Sequence, residues 1–125
     1  MRMPISTSSA PAAVGPYSQA VASGGMVFLS GQLPIDPATG TFPSGGIQAQ
    51  AKQCLENIKA VLQTCGLTMD NIVKTTVFLH DIKDFSAMNE VYATYFPQGQ
   101  CPARSAVQVA ALPKDALIEI EAVAM

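Results

Sequence analysis

The chain has 125 residues, a formal net charge of −2, 13% charged and 49% hydrophobic residues, and a mean hydropathy of +0.27. Seven scattered basic residues and a pI near 5.1 argue against a nucleic-acid partner, because polyanion affinity is driven by clustered Lys and Arg. No apolar run approaches the ~18 residues of a bilayer span, so surplus apolar surface in so uncharged a chain belongs in a subunit interface rather than in a membrane.

The length fits one domain over residues 1–125. The opening "MRMPISTSSAPAAVG" lacks the apolar core of a secretory leader. "YSQAVASGGMVFLSG" reads as two extended segments hinged at Ser23, Gly24 and Gly25, since glycine takes positive φ without steric penalty. "QLPIDPATGTFPSGG" is dense in Pro and Gly and is expected to be loop. From Ile47 to Cys65 the apolar residues recur at alternating spacings of three and four, the mark of an amphipathic helix, with Gly66 placed as its C-cap.

"NIVKTTVFLH" reads as a strand with Val73, Thr75, Val77 and Leu79 on one face. Asp84 is placed to cap a second helix with a stripe of Phe85, Met88, Val91, Tyr92, Tyr95 and Phe96, closed by Pro97. "ARSAVQVA" and "ALIEIEAVA" read as two closing strands around a turn at Pro113, Lys114 and Asp115. The order β-β-α-β-α-β-β predicts an α+β fold: one mixed sheet with both helices on one face and the other face left for a second subunit. Cys54, Cys65 and Cys101 have no C-x-x-C spacing, and His80 is the only histidine, so no zinc site with ordinary spacing is expected. Cys54 and Cys65 lie three helical turns apart and are expected to face the core. Reduced thiols suit a cytoplasmic location.

Two strand charges stand out. Arg104 heads the first closing strand, and Glu119 sits within the second, two residues from Glu121. On the residues alone each reads either as a solvated surface charge or as part of a binding site, because desolvating a strand charge without a partner costs several kcal/mol.

The stretch around them carries a resemblance. "PARSAVQVAAL", followed five residues later by "IEI", resembles the signature of the RidA (YjgF-like) family of enamine/imine deaminases. "GPYSQAV", "FLSGQLPIDPATG", "VKTTVFLHDIKDFSAMNEVY" and "LPKDALIEIEAVA" are similar to that family's other blocks, in order, from about residue 9 to 124. The resemblance implies a chorismate-mutase-like homotrimer with sites between subunits. It implies hydrolysis of 2-aminoacrylate and related enamines or imines to 2-keto acids and ammonia, with no metal or organic cofactor.

By the same resemblance, Arg104 binds the substrate carboxylate, a role suited to its planar fork of donors. Glu119 activates the water, and Tyr17 bonds substrate or donates a proton. Ser30 and Gly31 line the pocket, Asn89 orders it from the second helix, and the backbone carbonyl at Ala106 is placed to bind the imine nitrogen. Ala106 is a departure, since many members carry cysteine there. Two other classes stay open: a non-catalytic binder or sensor of small 2-keto acids, which needs the same carboxylate grip, and an endoribonuclease or translation inhibitor, which the single histidine and acidic pI disfavour.

Overall fold

The computed structural model describes residues 1–125. A hairpin opens the fold: β2 (Ala20–Ser23) and β3 (Met26–Gln32) pair antiparallel across Gly24 and Gly25, with φ of 59° and 79°. Two consecutive positive φ values make a turn whose twist matches that of the strands, which is why glycines stand there. A three-residue strand, β1 (Met3–Ile5), adds to the outer edge of β2 and was not expected. It holds Pro4, which lacks an N–H and is tolerated at an edge.

The expected loop follows, and then α1 (Gly46–Thr64) buries Ala51, Cys54, Leu55, Ile58, Val61 and Leu62. Cys65 caps it and Gly66, at φ 75°, turns the chain out. Cys54 is fully buried as expected, whereas Cys65 is half-buried at the end of the helix. β4 (Ile72–Leu79) carries one correction to the face assignment. A register shift between Ile72 and Lys74 turns Ile72 inward and leaves Val73 40% exposed, so the buried face is Ile72, Thr75, Val77 and Leu79.

The second helix, α2 (Phe85–Ala93), follows a single 3-10 turn at Ile82–Asp84. Asp81 caps that turn by accepting from the Lys83 N–H, and Asp84 makes no capping bond. The helix also stops short of Tyr95 and Phe96, because the Thr94 hydroxyl donates to the Val91 carbonyl as the last turn tightens.

The closing strands, β5 (Ala103–Gln108) and β6 (Ile118–Ala124), are not neighbours. The sheet order is β1-β2-β3-β6-β4-β5: β6 inserts antiparallel between β3 and β4, and β5 runs parallel to β4 as the far edge. Both helices lie on one face, α1 over Ile118, Ile120, Ala122 and Ala124 of β6, and α2 beside α1 with Tyr92 bonded to Thr75 of β4. The fold is thus α+β with a mixed six-stranded sheet and two helices.

Buried amides fasten the loops to this frame. Gln19 accepts from the Thr7 N–H at 2.7 Å and donates to the carbonyls of Thr7, Ala10 and Pro11, gathering the segment ahead of β2. Asn57 donates to the carbonyls of Leu33 and Ile35 and holds the long loop on α1. Each satisfies backbone groups that would otherwise be buried without partners.

Candidate active site

The side chains singled out in the sequence fall into two groups. The first surrounds Arg104. Its strand register sets it opposite Thr75 of β4, hence on the helix-covered face. There its Nη1 donates to Asn89 Oδ1 at 2.6 Å. Its guanidinium carbon lies 4.7 Å from the Tyr92 ring centroid and 5.3 Å from that of Phe85, within cation–π range of both. Tyr92 is itself held by a 2.7 Å hydrogen bond between its hydroxyl and Thr75 Oγ1 in the core. Burial pushes the Tyr92 phenol up, against smaller opposing effects of the Thr75 bond and the Arg104 charge, so it stays protonated. Ala106, two residues along β5, shares the Arg104 face and is half-buried against the core.

The second group lies around Glu119, which the β6 alternation sends to the bare face, opposite Phe78 of β4. Burial raises its carboxyl above the usual range, and the neighbouring Glu121 charge adds to this. Gly31 lies directly against it. A Cβ built on Gly31 would overlap Glu119 Oε2 and sit 2.9 Å from Cδ, so glycine is required for the approach rather than for a positive φ. Gly31 also lines a cavity of about 430 Å³ with Tyr17, Leu33, Ile35 and Lys114.

Tyr17 is half-exposed at this cavity. Ser30 donates its hydroxyl to the Ser18 carbonyl at 2.6 Å and its N–H to the Gln19 carbonyl. It therefore ties the hairpin to the Tyr17 segment and offers a ligand only its lone pairs.

Arg104 and Asn89 are thus brought together, Gly31 lies against Glu119, and Gly31 and Tyr17 share a cavity that Glu119 does not line, while Arg104 and Glu119 sit on opposite faces of the sheet. The row Arg104–Thr75–Ala122 faces the helices, and the row Val107–Phe78–Glu119 faces away from them.

Phe85, Tyr92 and Lys114 were missed as site neighbours in the sequence. Phe85 and Tyr92 read as core stripe; the available signal was Asn89, which lies four residues after one and three before the other, on the same helical face. Lys114 read as turn, and its φ of 57° puts a left-handed non-glycine residue at the cavity.

Comparison with known proteins bears on what these groups belong to. Residues 7–125 match the family model described as Endoribonuclease L-PSP. The chain belongs to the RidA (YjgF-like) family. A RutC family protein of Pyrococcus horikoshii is 52% identical over 99% of this chain and 98% of its own length. A 2-iminobutanoate/2-iminopropanoate deaminase of Capra hircus is 54% identical over 100% of this chain and 90% of its own. Among solved structures, E. coli TdcF with bound serine is 50% identical with a TM-score of 0.93, covering 98% of each chain. The RidA-family fold thus spans nearly the whole chain. No helix is long and apolar enough to cross a membrane.

Proposed function

We propose that this RidA-family chain is a hydrolytic deaminase of 2-aminoacrylate and related enamines or imines, releasing 2-keto acids and ammonia, in the manner named for its mammalian relatives. The observation that carries this reading is the pairing of an oriented guanidinium with a desolvated carboxyl on opposite faces of one sheet. A single chain cannot close both around one small molecule. The edge strand β5 of one copy laid beside the Tyr17 cavity of the next would do so. We therefore assign residues 1–125 to one domain that acts as a chorismate-mutase-like homotrimer, with each site shared between two subunits.

In that site Arg104 grips the carboxylate through two parallel N–H donors. The enamine methylene takes a proton, from Tyr17 or from solvent, and becomes the methyl group of an imine whose C2 is electrophilic. The backbone carbonyl of Ala106 accepts from the imine nitrogen, which makes the absence of a thiol at this position harmless. Glu119 removes a proton from a water as its oxygen bonds to C2. The tetrahedral adduct then takes that proton on nitrogen, expels ammonia as its hydroxyl becomes the carbonyl, and returns the hydroxyl proton to Tyr17 or solvent, leaving the 2-keto acid. A carboxyl held above the usual range is a stronger base than ordinary Glu, and general-base help of this kind adds ~10² to 10⁴ in rate. Tyr17 and Lys114 at the cavity complete the polar lining.

The test is to generate 2-aminoacrylate in situ with a serine dehydratase and follow keto acid formation. Faster formation with the protein than without it is the expected result. Tight pyruvate binding with no acceleration would instead make the chain a 2-keto acid binder, the second reading that the same Arg104 grip allows.

A further inference from the structure

Arg104 is held more firmly than a carboxylate grip alone requires. One nitrogen is tied to Asn89, one face lies over Tyr92, and Phe85 stands at 5.3 Å. These three residues project from one face of α2, so a single rigid helix sets the position of the guanidinium. Tyr92 is the fixed point among them. It is only 6% exposed, and its hydroxyl is bonded to Thr75 on the central strand β4, so its ring cannot rotate away without breaking a buried hydrogen bond.

The consequence is directional. Asn89 occupies Nη1, while Nε and Nη2 make no hydrogen bond within the chain. The edge bearing those two nitrogens is a fork with both N–H groups free, whereas the Nη1–Nη2 end has one N–H committed to Asn89, and the two rings close in on the guanidinium at 4.7 and 5.3 Å. We infer that Tyr92, seconded by Phe85, is a positioning residue that orients Arg104, so that the substrate carboxylate docks in the guanidinium plane on the Nε–Nη2 edge. This rests on the reading of Arg104 as the carboxylate-binding group. It goes beyond that reading by assigning the orientation of the grip to an aromatic cradle on α2.

The experiment measures pyruvate affinity by calorimetry, and KM and kcat with in situ 2-aminoacrylate, for Tyr92→Leu, Tyr92→Phe and Phe85→Leu. Losing a cation–π face weakens the grip by about 3- to 30-fold, so Tyr92→Leu should raise both KM and the pyruvate Kd within that range. Its kcat should stay within about twofold of the parent's, since water activation is untouched. Phe85→Leu, on a half-buried residue that the fold tolerates, should shift KM in the same direction by less. Tyr92→Phe keeps the ring but loses its anchor on Thr75, and should fall between the parent and Tyr92→Leu.

The same changes made in an Arg104→Lys background should have no further effect on pyruvate binding, because the oriented fork is already gone. Unchanged KM and Kd in folded Tyr92→Leu and Phe85→Leu would overturn the inference. So would an equal loss in the parent and Arg104→Lys backgrounds, which would place the rings' effect elsewhere. If Arg104→Lys itself bound pyruvate as well as the parent, the failure would lie in the assignment of Arg104, and the cradle would fall with it.

Discussion

Glu119 is the residue whose environment has the most direct kinetic consequence. Its carboxyl is held above the usual range by burial first and by the Glu121 charge second. In its proposed role as general base it must be ionised, so activity should rise with pH along a limb set by this raised value. Glu121→Gln removes the like charge and should move the limb to lower pH, as a pH–rate profile would show; a limb that stays in place would exclude Glu119 as the base.

Stability carries the opposite sign. A carboxyl whose folded pKa exceeds its unfolded one contributes stability that is fully present below the unfolded value, and loses it as pH rises through the folded one. Glu119→Gln should therefore melt higher than the parent at pH 7, with the gap closing as the pH falls below the ordinary glutamate range. Melting curves across that pH interval check the sign. Gly31 makes the same point sterically. Gly31→Ala places a methyl where the Glu119 carboxylate lies, and should lower kcat by at least ~10-fold while far-UV circular dichroism stays unchanged.

The elements explain which parts of the fold could be read from sequence. The Gly24–Gly25 turn and the apolar stripe of α1 were legible because each is a local pattern that its own geometry demands. The position of β6 between β3 and β4 was not, because pairing is set by which faces pack together across the sheet and leaves no local mark. β1 escaped because three residues are too few to show alternation. At the candidate site, Arg104 and Glu119 were singled out through the family's blocks, whereas Phe85 and Tyr92, which stand against Arg104, were hidden by the ordinary appearance of aromatics on a helix stripe.

The amide fasteners were equally invisible, since a glutamine reads the same whether it is solvated or buried. Gln19 is the one that matters for the site, because it gathers the segment that carries Tyr17. Gln19→Ala strips partners from several buried backbone groups and should cost about 2–3 kcal/mol in chemical denaturation, with a rise in KM as the cavity wall loosens. A denaturation midpoint equal to the parent's would mean that the segment holds itself.

At the scale of the whole molecule, the bare face of the sheet explains the composition. Phe28 and Val107 are 46% and 45% exposed, on strands toward opposite edges, and both lie in rows that run across β6. For a chain with 13% charged residues such a face favours association, and the proposed ring of copies would cover the uncharged surface and join the divided site together. The most direct measurement follows from that division. Arg104→Lys and Glu119→Gln chains, each expected to be nearly inactive alone, are unfolded together in equal amounts, refolded, and assayed for 2-aminoacrylate hydrolysis. Native mass spectrometry should show mixed assemblies of three 13.1 kDa chains, and any other stoichiometry would contradict the proposed trimer. Sites built from Arg104 of one subunit and Glu119 of the next would be restored at random in about a quarter of cases, so activity should recover to about a quarter of the parent's. Mixed trimers that stay as inactive as the single variants would contradict the shared site.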